Sequence, residues 1–198
     1  MSLSDIIKKK AAEMLGKGLQ NTAKDLQKKA SEKKTMISLA YLPNTAEELK
    51  SLPAFSLKNE YVVAALTVTA LMVYPENRAA CFEMMNVLKG PEPLSERDKQ
   101  FINDRFMDGK DYVMRSYFEG TSPENNYAIS APYQIEVTEL PNSRENEGYV
   151  RLFLKSSGAD SLRYVVLRNK PSTGEWFLWE FQGITMDIRI PKEQDKWA

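Results

Sequence analysis

The chain has 198 residues, with 27 basic and 27 acidic side chains, one cysteine and no histidine. The lack of histidine excludes Ser-His-Asp and Cys-His catalysis as well as imidazole-ligated zinc and iron sites. A single cysteine excludes an intramolecular disulfide, thiolate zinc sites and iron–sulfur clusters. Catalysis would have to use carboxylates, lysine, tyrosine, hydroxyls, the one thiol or a hard metal ion, and we expect no cofactor.

The charges are unevenly distributed along the chain. Residues 1–34 contain nine lysines against four acidic side chains, a surplus of five positive charges. The remaining residues contain 18 basic and 23 acidic side chains, a surplus of five negative charges. Because the whole chain is neutral, no global field attracts nucleic acid, and we expect no nucleic-acid partner.

An amphipathic helix is predicted over residues 3–34. Its apolar residues recur at steps of three and four, with lysines around the rest of the helix. Seven of these lysines are the candidate contacts to a partner or a membrane surface: Lys8, Lys9, Lys10, Lys17, Lys24, Lys28 and Lys29. Gly16 and Gly18 weaken the middle of the helix, each by about 1 kcal/mol relative to alanine. We therefore divide the chain into a basic amphipathic extension, residues 1–35, and a single domain, residues 36–198.

Three interpretations of the basic helix are open. It could pack on the oppositely charged domain, or pair with a copy of itself or with an unknown protein partner. It could also touch an anionic membrane weakly and reversibly, since each lysine contributes about 1 kcal/mol and the apolar stripe lacks tryptophan and phenylalanine. The third interpretation is partial disorder.

The sequence predicts a cytoplasmic location. The first residues are too polar to form the apolar core of a signal peptide. The longest apolar run, residues 61–74, spans 14 residues, and a membrane helix needs roughly 20. One cysteine gives no indication of an oxidising compartment.

Four helical segments are predicted in the first part of the domain, at residues 46–51, 57–74, 76–89 and 95–117. Thr45 and Glu48 fit a capping box for the first helix, and Ser56 is predicted to cap the second. Ser95 is predicted to cap the fourth helix, and the Asp108-Gly109 pair to break it into two pieces.

Beyond residue 132 the apolar period changes from 3.6 to 2, which is typical of strands. Five strands are predicted, at residues 134–139, 149–155, 162–169, 175–181 and 184–190. Residues 36–42 form either a further strand or an extended connector. Short spacing and tight loops favour an antiparallel meander. The predicted fold class is α+β, with three or four helices packed on one face of a roughly five-stranded sheet.

The aromatic strand 175–181 is the first candidate for function. Alternation places Phe177, Trp179 and Phe181 on one face and Trp176 and Leu178 on the other. Apolar side chains on both faces indicate a central strand. Core packing explains such rings, and the alternative is a ligand pocket between the sheet and the helices in which Trp179 contacts the ligand.

The loop between the helices and the sheet is the second candidate. Tyr117, Asn125, Asn126 and Tyr127 carry polar groups able to orient a ligand, and loops at such junctions often carry sites. Asparagine is also an ordinary turn former, so a structural role is the alternative. The carboxylates on helix 95–117 are interleaved with lysine and arginine, as on a solvated face, and we expect no metal site.

Several stretches together resemble a known family: residues 57–61, 88–91, 94–95, 117–120 and 174–179, with Pro123, Asn125 and Trp197. The family is a domain of unknown function in uncharacterised bacterial proteins, found chiefly in Firmicutes. The resemblance covers roughly residues 36–198 and implies that the lysine-rich helix is a common N-terminal extension. Since the family has no assigned activity, the resemblance implies no catalytic residues.

The sequence leaves the function unknown and favours a non-enzymatic binding or protein-interaction module. This hypothesis rests on the missing catalytic chemistry and on the opposite charges of the two parts. One alternative is a small-ligand-binding protein or enzyme with a pocket between helices and sheet. Another is a peripheral membrane protein attached through the basic helix.

Overall fold

The computed structural model describes residues 32–197, and the compact unit to which nearly all of them belong begins at Lys34. Its helices are α1 (Ala46–Ser51), α2 (Glu60–Met72), α3 (Arg78–Lys89), α4 (Glu96–Phe106) and α5 (Tyr112–Arg115). Its strands are β1 (Lys33–Leu39), β2 (Tyr133–Glu139), β3 (Tyr149–Leu154), β4 (Arg163–Lys170) and β5 (Glu175–Glu180).

The predicted basic helix lies almost entirely outside the described residues. Its last two predicted positions, Lys33 and Lys34, belong to strand β1, so the prediction was wrong at that end. The seven lysines of residues 8–29 lie outside the described part of the chain. The division of the chain at residues 35 and 36 stays a prediction.

The five strands form one sheet in the order β1-β2-β3-β4-β5. Strands β2 to β5 pair antiparallel, with Val137 opposite Leu154, Leu152 opposite Val165 and Leu167 opposite Leu178. The predicted α+β fold with a five-stranded antiparallel sheet is confirmed. The prediction that residues 175–181 form a central strand was wrong, because β5 lies at one end of this order.

The predicted strand 184–190 was also wrong. Residues Gln182–Thr185 form a 3-10 turn, and the fifth strand of the sheet is β1, which overlaps the segment 36–42 that the sequence left open. The main chain here bonds to side chains and loops instead of to a neighbouring strand: Tyr117 donates to the Ile184 carbonyl at 2.7 Å. Because side chains and loops from distant parts of the chain satisfy its backbone groups, the alternation of isoleucines does not produce a strand.

Local capping explains where the helices begin. The Glu48 amide donates to the Thr45 hydroxyl at 3.1 Å, as predicted, while the Glu48 carboxylate accepts from Asn44, one residue before the cap. Helix α2 begins after Asn59, whose side-chain oxygen accepts from the Tyr61 amide at 3.0 Å, and not after Ser56. Asparagine and serine are comparably good caps, so the sequence alone could not choose between them.

The fourth predicted helix divides as expected. Ser95 and Asp98 form a capping box at the start of α4, and the 3-10 turn Met107–Gly109 separates α4 from α5. Gly109 has a φ of +71°, in the left-handed region that favours glycine. The left-handed backbone at Gly109 therefore accounts for the break between α4 and α5.

Helix α2 is buried on all sides and holds the helical layer on the sheet. Every residue from 61 to 71 is buried, and α2 contacts α3, α5 and strands β2 to β5. Two of these residues are threonines, and their hydroxyls donate to the carbonyls of Val63 and Leu66 at 2.9 Å. Among the helices of residues 32–197, none combines the length and apolar character needed to cross a bilayer.

The helical layer divides the sheet into an inner and an outer face. Val150, Leu152 and Leu154 of β3 are buried against the helices, while the residues between them are partly or fully exposed. Since side chains alternate across a strand, the pairing of β2 and β4 with β3, and of β5 with β4, extends both faces across the sheet.

The single cysteine gives a test of this packing. Cys81 of α3 is buried, and burial raises the pKa of its thiol to about 12. At pH 8 only about one in ten thousand thiols with that pKa is ionised. We expect the native protein to leave Ellman's reagent unreacted over minutes, and the protein unfolded in guanidinium to release one equivalent. Native reactivity at the rate of an exposed cysteine would contradict the buried position.

Candidate binding site on the outer face of the sheet

The outer face of the sheet carries a set of aromatic and arginine side chains, which we call the aromatic–arginine face. It consists of Tyr149, Arg151 and Phe153 of β3, Tyr164 and Arg168 of β4, and Trp179 of β5. In the β3–β4 register, Tyr149 lies opposite Arg168 and Phe153 opposite Tyr164. Directly opposed side chains lie on the same face of an antiparallel pair, so the register brings these groups together.

The two guanidinium groups lie over aromatic rings. Arg168 is 4.9 Å from the ring centre of Trp179 and 5.7 Å from that of Tyr149. Arg151 lies 5.1 Å from the ring centre of Tyr164. The rings also pack on each other, with the centroids of Tyr149 and Trp179 5.7 Å apart in an edge-to-face arrangement. Each cation–π contact at an exposed site contributes about 0.5–1 kcal/mol and orders the arginine before any partner arrives.

A groove of about 270 Å³ adjoins this face beside strand β5. It is lined by Lys89, Pro91 and Glu92 from the end of α3 and the connector to α4, by Arg168, Asn169, Lys170 and Pro171 of the β4–β5 hairpin, and by Phe177, Leu178 and Trp179 of β5. Arg168 and Trp179 belong to both the groove and the aromatic–arginine face. The groove is therefore one end of a continuous surface.

One glycine allows the α3–α4 connector to form the wall of the groove. Gly90 has a φ of +59°, and a Cβ atom at this position would lie 2.2 Å from the Phe177 ring. The connector is held in place by Asn86, whose side-chain oxygen accepts from the Leu94 amide at 2.8 Å. Glycine is required here for both the backbone conformation and the close approach to the ring.

The electrostatics of the groove are dominated by cations. Arg168 lies 3.4 Å from the carboxylate of Glu92, and both side chains are largely exposed, so this ion pair contributes little. Lys89 is only 8% exposed, and within the described residues its ammonium group has no hydrogen-bond or ion-pair partner. Among the described residues, the buried side-chain atoms without a hydrogen-bond partner belong to Thr138 and Arg163 and do not include the Lys89 ammonium nitrogen. The aliphatic stem of Lys89 is therefore buried, while its charged end reaches solvent in the groove.

Of the five uncharged residues predicted from the sequence to contact a ligand, Trp179 lines this groove. Trp176, its neighbour on the opposite face, packs against the core beneath the Arg144 guanidinium. The predicted alternation thus holds within β5. It fails at Phe181, which follows the strand and is fully buried in the core.

The other four residues are bonded within the domain. The hydroxyls of the buried Tyr117 and Tyr127 donate to the carbonyls of Ile184 and Arg189 at 2.7 and 2.6 Å. The side chain of Asn125 bonds to Ser122 and Gly120, and that of Asn126 accepts from the Glu193 amide at 3.0 Å. These bonds favour the structural alternative. The ligand role of these four residues stays a prediction.

Sequence reasoning missed three cations of the surface: Lys89, Arg151 and Arg168. A signal for the two arginines was present, because they alternate with the buried residues of predicted strands and must face the opposite side. No local signal marks Lys89, which by sequence is an ordinary lysine in the last turn of a helix. Across residues 32–197, no group of three or more acidic or cysteine side chains could hold a metal ion.

Replacing Tyr117 by phenylalanine tests the structural role of the loop tyrosines. Burial raises the pKa of Tyr117, so its hydroxyl is a protonated donor at neutral pH. We expect Y117F to lower the free energy of unfolding by about 1–3 kcal/mol, because the Ile184 carbonyl loses its partner. Y164F, which removes the hydroxyl of a tyrosine that is 37% exposed, is the matched control and should stay within about 0.5 kcal/mol of the wild type. Equal unfolding midpoints in urea for both variants would contradict this role.

Substitution of Gly90 tests the wall of the groove. We expect G90A to destabilise the protein by more than G120A, because the new methyl group meets the Phe177 ring. Gly120 has a φ of +80°, and a methyl group there would have no other atom within 4 Å, so G120A reports the backbone strain alone, about 1–2 kcal/mol. Thermal unfolding followed by circular dichroism compares the two variants. A smaller loss for G90A than for G120A would show that the connector does not lie against the ring.

Comparisons with known proteins give a family and assign no activity. Residues 41–192 match the family described as Domain of unknown function (DUF6935). No curated protein and no solved structure matches the chain. The matched region includes the α2–β5 core, the groove and the whole aromatic–arginine face. Since the match spans well over half of the sequence, the chain belongs to the DUF6935 family of domains of unknown function.

Proposed function

We propose that this protein is a non-enzymatic interaction module that binds an acidic segment of a protein partner on its aromatic–arginine face. The observation that supports this proposal is the pair of arginines held over aromatic rings on an outer sheet face. Arginine and large aromatic residues are the types enriched at binding hot spots. Ring contacts restrict the arginines in advance, which lowers the entropic cost of binding.

The charge of the face supports an acidic partner. Arg151 is exposed and pairs with no carboxylate within the described residues, and Arg168 has only the exposed Glu92. Outside residues 1–34 the chain carries an acidic surplus, so this basic patch differs in sign from the rest of the domain. Complementary charge at such a patch speeds encounter and selects the partner.

The shape of the surface supports a polypeptide. A groove of about 270 Å³ is smaller than the roughly 300–1,000 Å³ of pockets that enclose a small-molecule ligand. It has room for one or two side chains of a partner that continues over the neighbouring strands. The side chains on the face belong to adjacent antiparallel strands, a spacing that an extended segment can follow.

We further propose a bacterial source and a cytoplasmic location for the protein. The resemblance to bacterial proteins and the single cysteine support this setting. Self-association, an unknown partner or weak contact with anionic membranes through residues 1–35 is a separate proposal, supported by the basic surplus of that segment. Flotation with anionic liposomes at low and high salt, with and without residues 1–35, tests the membrane contact.

Peptide binding tests the interaction module. The probes are fluorescein-labelled peptides of about eight residues in which glutamate alternates with valine, leucine or phenylalanine, and matched peptides with lysine in place of glutamate. We expect the glutamate peptides to bind the full chain more tightly, and R151Q or R168Q to weaken that binding about tenfold, or about 1.4 kcal/mol. Fluorescence anisotropy at low and moderate salt measures the affinities.

R97Q is the matched control, because Arg97 is an exposed arginine of α4 that does not line the groove and its loss changes the net charge equally. This variant should bind like the wild type. Equal binding of the glutamate and lysine peptides, or equal losses in R97Q and R168Q, would contradict the proposal. Tighter binding of a single-stranded oligonucleotide that depends on Arg168 would replace the protein partner by a nucleic acid.

A further inference from the structure

We propose that the groove is a carboxylate subsite in which Lys89 pairs with a glutamate or aspartate side chain of the partner. The inference rests on the proposed function and narrows it. On this view the aromatic–arginine face provides general attraction, and the groove selects one anchor residue, an acidic side chain next to an apolar one.

The stem of Lys89 is buried, and its charged end lies unpaired in the groove among the described residues. The residue is 8% exposed, it lines the groove, and within residues 32–197 its ammonium group has no partner. It is the last residue of α3, where the helix dipole favours a positive charge. The dipole lowers the cost of the charge without supplying an acceptor. An incoming carboxylate would supply a charge-assisted hydrogen bond to an ammonium group whose aliphatic stem is already buried.

The surroundings of Lys89 favour a side chain over a free ion. Phe177 and Trp179 line the same groove, and Phe177 is fixed against Gly90. These rings offer apolar area to a residue adjacent to the carboxylate, in the way that aromatic residues line ligand sites. A free carboxylate ion would use the ammonium group and leave the rings uncovered.

The charge arrangement favours a carboxylate over a phosphate. Glu92 lines the groove and lies 3.4 Å from Arg168, so it occupies part of the guanidinium that a phosphate would use. Phosphate recognition commonly uses the two-pronged geometry of arginine, whereas lysine acts as a compact point charge. A single negative charge therefore suits Lys89 better than a dianion beside Glu92.

A double-mutant cycle between protein and peptide tests the pairing. On the peptide side, the glutamate of the tightest-binding probe that precedes an apolar residue is replaced by glutamine. On the protein side, K89M removes the charge and keeps a linear side chain. We expect the glutamine peptide to bind the wild type about tenfold more weakly, and K89M to bind the two peptides equally.

K50M is the matched control, since Lys50 is an exposed lysine of α1 away from the groove, and it should retain the wild-type preference. The glutamine peptide also tests the pairing on the unmodified protein, so the result does not depend on the folding of K89M. Equal affinity of the wild type for both peptides, or a full preference retained in K89M, would overturn the subsite. Stronger binding of a phosphoserine peptide, or binding only through a free C-terminal carboxylate that amidation abolishes, would also overturn it.

The two proposals fail separately. R168Q could weaken the binding of the glutamate peptides while the glutamine replacement in the peptide lowers the affinity of K89M and of the wild type equally. In that case the interaction module stands and the carboxylate subsite is wrong. If no glutamate peptide binds better than its lysine counterpart, the interaction module itself is wrong, and the subsite that rests on it is wrong as well.

Discussion

The domain depends on the complete burial of helix α2. All its residues from 61 to 71 are buried, and the helix contacts α3, α5 and four of the five strands. Each fully buried aliphatic or aromatic side chain contributes about 1.5–3 kcal/mol relative to exposure. A helix without a polar side must lie between other elements, so α2 requires the sheet on one side and the remaining helices around it.

The same packing leaves a second sheet face with a different composition. Tyr164 and Arg168 alternate along β4 with the buried residues Val165 and Leu167, so one strand supplies both the core and the binding surface. Arginine covers the rings on this outer face, which keeps aromatic area partly shielded while leaving the guanidinium accessible. The ring contacts thus stabilise the side chains of the free protein and also lower the entropic cost of binding a partner.

The connector after α3 links the two faces. It passes from the buried end of the helix to the rim of the groove, and Gly90 allows it to lie against Phe177 on the outer side. Lys89 therefore belongs to the helical layer by sequence and to the groove by position. Lys89 and Gly90, which are adjacent in the chain, therefore connect the packing of the core to the shape of the groove.

Errors in the expected fold have identifiable causes. Residues 184–190 alternate like a strand, yet Tyr117 and Tyr127 supply hydroxyl donors to the carbonyls of this segment and hold it without a neighbouring strand. The apolar residues on both faces of β5 suggested a central strand, but β5 lies at the end of the strand order, and the connector at Gly90 lies against its Phe177 ring. In both cases the partner lies far away in the chain.

The sequence by itself determined the break between α4 and α5, the alternation within strands β3 and β4, the α+β class and the exclusion of histidine and disulfide chemistry, because these depend on neighbouring residues and on residue types. It also placed Trp179 among the candidate contacts. Only the tertiary structure decided that β1 completes the sheet, that Arg168 lies over Trp179, and that Lys89 lines a groove without a partner among the described residues. These features depend on which segments distant in the chain meet, and the periodicity of one segment does not specify its partner.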